Sequence, residues 1–506
     1  MITLINHQGL KAIRGIQIQN PAPHIGLAYL GAFLKKNGHN YTAIDACGEA
    51  LDQILSYEDK NDIMIQGLTV SQIIPRIPSD TRIFGFSCSF SHYWVLVSKI
   101  AAAIRREFPE ALFVAGGEHP TAMPGHILNE DMFNVVVMGE GEETFLELAR
   151  RVENDQTWDD IDGIAYKNRE GQIVQNSPRK RITNIDEIPY PDWDNWCLTN
   201  YIEHKQIPGI NLGRSMPILG SRGCPYGCAF CSNGKMWKRR YIMRSGRSIV
   251  DEMEYMKNKY NVDSFSFYDS TFIVNRDKTI SFCQELIRRK LDITYKLPAG
   301  TRCEVFDEEL ALLLERSGLR NFMFALESGS EEIRKIIKKN ISMKNFLKAV
   351  KAVKKTKMTV GCFIVIGFPE DNKKSLKQTL SIIRKLAFIG MDDITVSKFT
   401  PYPGSEYFDD LYRKGYFNER LEELGDLISF FKSDTRSYCE ALSSRQLYHW
   451  MNWMFVNFYI ISFLIRPWKL IKSFWDYYAR GVETTRYMRF FSDRFLQRRK
   501  WKTSKV

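Results

Sequence analysis

Residues 221–233 read SRGCPYGCAFCSN and place Cys224, Cys228 and Cys231 in a C-x₃-C-x₂-C array, after a short apolar run and before a basic one. Three thiolates at this spacing are metal ligands before they are anything else. A structural zinc site takes four ligands, and no fourth cysteine or histidine lies near. The remaining cysteines (47, 88, 197, 283, 303, 362 and 439) are scattered and form no second C-x₂-C. An iron–sulfur cluster is held by cysteine thiolates, and a four-iron cluster with three protein ligands leaves one iron open to a small molecule. Gly223 and Gly227 would let backbone N–H groups point at the cluster's sulfurs. The competing readings are simple packing, or a zinc ribbon completed by a distant ligand.

A loop of this kind needs a rigid frame. Residues 211–405 alternate apolar strands with amphipathic helices. Strands are expected at 217–220, 264–268, 294–298, 321–325, 360–367 and 394–399. Six such units predict a barrel or partial barrel with its site at the carboxyl ends of the strands. The cysteine loop follows the first of them.

Residues 1–150 show the same alternation. Strands are expected at 2–6, 41–44, 83–86, 112–115 and 135–138, and helices at 25–38, 94–108 and 142–152. The pattern predicts a doubly wound parallel sheet covered on both faces. Ligands of such sheets sit over the carboxyl strand ends. The loops there are PAPHIG (21–26), SCSFSH (87–92), AGGEHPT (115–121) and GEGEET (139–144). Their glycines serve tight turns or the close approach of a large ligand, and four such loops at one sheet edge point to a ligand crevice. Residues 151–210 read as a linker, with a hairpin turning at Asn168–Gly171 and a proline-broken stretch, NIDEIPYPDWDNW. Residues 406–506 read as a helical, aromatic and basic C-terminal region.

The bulk composition sets limits. An apolar content of 44% and a charged content of 26% belong to an ordinary globular chain. Ten cysteines in 506 residues are too few for a disulfide scaffold. No signal-peptide pattern opens the sequence, so cytoplasmic location is expected. The net charge is +12, and residues 466–506 alone carry +9. Just before them, WMFVNFYIISFLI (453–465) is too short and too polar at Asn457 and Ser462 for a membrane span. It reads as a buried helix followed by a solvated basic tail. The alternatives are contact with a membrane surface or a lipid through 453–506 and, least favoured, nucleic acid.

The motifs together resemble the radical S-adenosylmethionine enzymes. Beyond the cysteines, FYDSTF (267–272), FALESGS (324–330), VIGFPED (365–371) and FTPYPGSEYF (399–408) fall in that family's order and spacing. PHIGLAYLGAFLKKNGH, AGGEHPTAMP and MGEGEETFLEL resemble the cobalamin-binding domain fused to one branch of it. The resemblance covers residues 1–410, and the helical tail is also similar to that branch's C-terminal region.

The resemblance implies a 4Fe-4S cluster on Cys224, Cys228 and Cys231, with S-adenosylmethionine chelating the open iron and yielding a 5′-deoxyadenosyl radical. It assigns cofactor contact to Phe230 near the adenine, to Asp269, Ser270 and Thr271 after the second strand, and to Arg302 and Glu327. Ile366 and Gly367 would flank the adenine. Cobalamin would lie against Pro23, His24, Ile25 and Gly26, against Ser87, Ser89 and Phe90, against Gly116, Gly117, Glu118 and His119, and against Gly139, Glu140, Gly141 and Glu142. The D-x-H-x-x-G motif that supplies a lower cobalt ligand elsewhere is missing. The implied activity is C-methylation of an unactivated carbon in a small-molecule, natural-product or lipid-like substrate. An electron donor such as flavodoxin or ferredoxin is implied, and nucleic acid is not. The alternative on the same scaffold is an oxidative cyclase, dehydratase or deoxygenase, with cobalamin auxiliary or absent. A non-enzymatic corrinoid sensor is disfavoured, because unused thiolates in an open site are an oxidation hazard.

Overall fold

The computed structural model describes residues 1–12, 21–57, 60–417, 436–485 and 487–488. Residues 486 and 489–506 of the basic tail expected at 466–506 lie outside these residues, and with them eight of its twelve lysines and arginines.

The first domain is built on a seven-stranded sheet. Its spatial order is Ile173–Gln175, Ile164–Lys167, Val135–Val137, Leu112–Gly116, Ile83–Ser87, Ile2–Asn6 and Tyr41–Asp45. The last five run parallel, each close to its expected position. Ile2–Asn6 is buried along its whole length, as a strand covered on both faces must be. The first strand lies between its two crossover partners, so the sheet's topological switch falls between Ile2–Asn6 and Ile83–Ser87.

The expected hairpin forms at Ile164–Lys167 and Ile173–Gln175, closed by Asn168 N–H donating to Gln172 O at 2.9 Å. It adds antiparallel to the edge strand Val135–Val137, so the first sheet runs on past residue 150. The stretch after it is irregular, as expected, but packed: Trp193, Trp196 and Tyr201 are fully buried. A small antiparallel sheet of Gly9–Ala12, Lys60–Gln66 and Ile54–Tyr57 was not expected.

The second domain holds six parallel strands in chain order: Ser215–Ile218, Ser264–Phe267, Thr294–Thr301, Leu319–Glu327, Thr359–Ile366 and Asp393–Lys398. The two end strands do not pair with each other, which makes a partial barrel. Helices Gly246–Tyr260, Arg276–Arg289 and Lys373–Ile389 cover its outside with amphipathic faces. The C-terminal region contributes helices Glu406–Arg413, Ser444–Ile465 and Pro467–Arg480. The helix containing 453–465 is buried on one face only, through Leu447, Met451, Met454, Phe458 and Ser462.

Candidate active site and cofactor cavity

The cysteine loop is pinned at both sides. Ser221–Arg222 pairs with Ile242–Met243. Ala229 N–H donates to Ile337 O at 3.0 Å, and Ala229 O accepts from Tyr407 N–H at 3.2 Å. Gly223 has φ +86°, and a Cβ there would lie 2.1 Å from Arg240 O. None of the ten cysteines is in a disulfide, and the three loop thiols are partly exposed. Burial raises the Cys231 thiol to about 11 and also raises Cys224, where Lys339 and Arg302 pull the other way. Among the described residues no three of His, Cys, Asp and Glu gather closely enough for one metal ion. A multi-iron cluster held at its corners needs no such closure, unlike a tetrahedral site with bonds of about 2.3 Å.

A cavity of about 1480 Å³ separates the two domains. Small-molecule sites usually take roughly 300–1,000 Å³, so this one has room for a large cofactor and a substrate. The carboxyl-end loops of the first sheet form one wall. It includes Pro23, His24, Ile25, Gly26, Ser87, Ser89, Phe90, Gly116, Gly117, Glu118, Gly139, Glu140, Gly141 and Glu142. His119 is not on it. That ring is buried against Trp94 and His126, and burial lowers it to about 3.

The wall fits a polar group of large area. Cβ atoms at Gly116 and Gly141 would meet nothing nearer than 3.9 Å, so these glycines leave space that packing does not require. Both nitrogens of His92, Nε2 of His24 and Oε1 of Gln8 are buried on this wall, and the hydroxyl of Tyr268 on the second-domain side, without a hydrogen-bond partner among the described residues. Buried polar atoms are otherwise almost always paired. His24 Nδ1 accepts from Leu27 N–H at 3.2 Å, which places the ring proton on Nε2 and makes it a donor. His7 and His92 flank the switch point and both pack on Tyr93, His7 stacked at 4.5 Å and His92 tilted at 4.3 Å between ring centroids. Sequence reasoning placed His92 only as the end of the loop SCSFSH, with no contact assigned to it, and gave His7 no role.

On the second-domain side, Asp269 and Ser270 line the cavity, while Phe230, Thr271, Arg302, Glu327, Ile366 and Gly367 are not on its wall. Asp269 accepts from Gly220 N–H at 3.0 Å and from the Ser221 hydroxyl, and burial raises it to about 7 despite those bonds. The Ser270 hydroxyl donates to Asn233 Oδ1 at 3.0 Å, and Asn233 Nδ2 donates to Cys231 Sγ at 3.4 Å. Thr271 Oγ1 is buried and unpartnered among the described residues. Glu327 closes its strand at φ +69° and pairs with Lys339 at 3.2 Å, both buried. Arg302 pairs with Glu304 and lies 3.9 Å over the Tyr226 ring. Phe230 packs on Phe368, and Gly367 N–H donates to Asp371 at 2.8 Å. Burial opposes the Lys339 charge, but Glu327 and Cys228 prevail and raise it. Lys339 gave no signal in the sequence.

The domains are clasped beside the cysteine loop. Arg222 donates to Glu140 at 3.0 Å and to Glu142 at 2.6 Å, and Arg181 donates to Glu140 at 2.9 Å. Burial favours a neutral Glu140, yet the two arginines hold it below the usual carboxylate range. Ser232 donates to Glu118 across the same seam.

Comparison with known proteins agrees with this architecture. Residues 12–149 match the B12 binding domain family, and residues 218–383 match the radical SAM superfamily. An uncharacterized methyltransferase of Pyrococcus horikoshii is 28% identical over 464 residues, covering 90% of this chain and 91% of that protein. The cytidylyl-2-hydroxyethylphosphonate methyltransferase of Streptomyces wedmorensis is 25% identical, covering 78% of each. Among solved structures, the radical S-adenosylmethionine methyltransferase TsrM from Kitasatospora setae, with cobalamin and a 4Fe-4S cluster bound, superposes with a TM-score of 0.63. It is 15% identical and is matched over 82% of this chain and 74% of its own.

Proposed function

Since the chain belongs to the radical S-adenosylmethionine superfamily and carries a B12-binding domain ahead of its barrel, we propose that it methylates an unactivated carbon of a substrate held in the interdomain cavity. The observation that carries this reading is the cavity itself, walled by the corrinoid loops on one side and by Asp269 and Ser270 on the other.

When bound, the cluster and S-adenosylmethionine supply a hydrogen-abstracting 5′-deoxyadenosyl radical, and the corrinoid supplies a transferable methyl group. The balanced reaction consumes R–H, two S-adenosylmethionine cations and two electrons from an external flavodoxin- or ferredoxin-type donor. It yields R–CH₃, 5′-deoxyadenosine, methionine and S-adenosylhomocysteine.

The protein's share is holding, orienting and excluding water. Cys224, Cys228 and Cys231 would hold the cluster, with the Arg302 and Lys339 cations beside the thiolates. Asp269 fastens the loop after the second strand to Gly220 and Ser221, at the root of the cysteine loop. His24 Nε2 and His92 would bond the polar periphery of the corrinoid. Phe86, Phe145, Phe267, Phe455 and Phe463 give the cavity apolar walls that keep water from a reactive intermediate.

Anaerobic turnover with methyl-labelled S-adenosylmethionine tests the reading. Label in the product, with one 5′-deoxyadenosine per product, is expected. 5′-Deoxyadenosine formed with no label in any product would transfer the assignment to the cyclase, dehydratase or deoxygenase alternative.

A further inference from the structure

Helix Ser444–Ile465 has a cavity face and an exposed face that meet. Asn452, Phe455, Tyr459 and Phe463 line the cavity. Trp453, Val456, Ile460 and Leu464 form an exposed apolar stripe at three- and four-residue spacing. Val456 and Ile460 belong to both: they line the cavity, yet are 44% and 53% exposed. The cavity edge therefore runs into the stripe.

The apolar surface continues beyond this helix. The chain bends by 97° into helix Pro467–Arg480. There Trp468, Ile471, Trp475 and Tyr478 repeat the spacing, each at least 60% exposed. Phe388, on helix Lys373–Ile389, is 67% exposed beside Arg384 and Lys385.

The charge on this surface is of one sign. Helix Lys373–Ile389 carries five lysines and arginines and no acid, and helix Ser444–Ile465 carries Arg445 and no acid. The one acid of helix Pro467–Arg480, Asp476, is buried. In sequence, residues 481–506 add eight more cations against Glu483 and Asp493.

Exposed tryptophans rimmed by lysine and arginine are the composition of a bilayer interface. Protein interfaces, by contrast, deplete lysine at their cores. No single helix among the described residues is long and apolar enough to cross a membrane, so the bent pair would lie in the interfacial plane. We propose that this face seats the enzyme on an anionic lipid bilayer, and that the substrate is a lipid entering the cavity past Val456 and Ile460. The substrate half of the inference rests on the cavity being the site of methylation; the membrane half does not.

Flotation of the full cluster-loaded chain tests it, with vesicles of phosphatidylcholine alone and of phosphatidylcholine mixed with phosphatidylglycerol. The chain is expected to float with the anionic vesicles and to be released by salt. A Trp468→Glu, Trp475→Glu double variant should bind them about tenfold or more weaker, with cluster absorbance and S-adenosylmethionine cleavage unchanged. The probe for the cavity mouth is cis-parinaric acid: its emission should rise on binding the wild type and rise far less in an Ile460→Glu variant. A wild-type chain that cleaves S-adenosylmethionine but does not float overturns the membrane proposal and leaves the proposed function standing. Parinaric acid binding unaffected by Ile460→Glu overturns lipid entry at this edge. A double variant that changes only self-association would assign the face to a second copy of the chain instead.

Discussion

Arg222, two residues ahead of Cys224, donates to Glu142 of the first domain's cavity wall at 2.6 Å, with both side chains 8% exposed. A buried pair broken on one side leaves an uncompensated charge and costs about 3–5 kcal/mol. Arg222→Met therefore strands Glu142, while Glu140 keeps Arg181. We expect a lower unfolding midpoint and, below it, incomplete iron incorporation, because Arg222 belongs to the strand that roots the cysteine loop. A double Arg222→Met, Glu142→Met variant should recover part of the stability. If the single variant melted with the wild type and held full iron, the clasp would have no role in shaping the site.

The cysteine loop's glycines separate by the same logic. At Gly223 an added Cβ would meet a backbone oxygen at 2.1 Å, in a conformation that L side chains rarely adopt. Gly223→Ala should cost about 1–3 kcal/mol and sharply lower cluster content. At Gly227 the added Cβ would meet only the Arg239 guanidinium at 3.0 Å, the end of a long side chain. Gly227→Ala should load iron nearly as the wild type does. Iron and sulfide analysis of the reconstituted variants decides the contrast, and equal loading would refute it.

Glu327 combines a left-handed backbone with a buried ion pair. Replacing it by alanine keeps the unfavourable φ and strands Lys339; replacing it by glycine strands Lys339 but removes the conformational cost, about 1–2 kcal/mol. Glu327→Gly should therefore be the more stable of the two in denaturant unfolding. Both should bind S-adenosylmethionine more weakly with cluster absorbance intact. Equal stability of the two variants would mean that the backbone at this position is unstrained.

What the sequence made legible follows from range and repetition. The six strands of the second domain announce themselves through apolar runs, and the structure places each within a few residues of its expected position. The cysteine array is local, so three residues identify it. Arg222 and Glu142 are eighty positions apart, and nothing in either neighbourhood marks a partner. The strands Ile54–Tyr57 and Lys60–Gln66 pair with a register shift, so period-2 alternation is blurred. His7 and His92 come to share Tyr93 only because the fold brings two strand ends to one crevice. His119, in an attractive glycine-rich loop, turns inward because the short helix Glu118–Ala122 carries it under Trp94.

Those histidines set a pH dependence. Burial lowers His7 and His24 to about 4, and His92 and His119 to about 3, from an unfolded value near 6.5. A depressed folded value means that the unfolded chain binds the extra protons. Stability is thus complete above pH 6.5 and is lost as the pH falls toward 4. Each imidazole contributes about 1.4 kcal/mol per pH unit in that window, so the four together make the apoprotein steeply acid-labile. His119→Phe keeps an aromatic ring beside Trp94 and removes one titrating group. Its urea-unfolding stability should fall less between pH 6.5 and 5 than that of the wild type, with aquacobalamin affinity unchanged because the side chain is off the cavity wall. His92→Phe should flatten the pH dependence similarly but weaken aquacobalamin binding about tenfold, the loss of roughly one hydrogen bond. Equal affinity in the two variants would show that the His92 nitrogens do not meet the corrinoid.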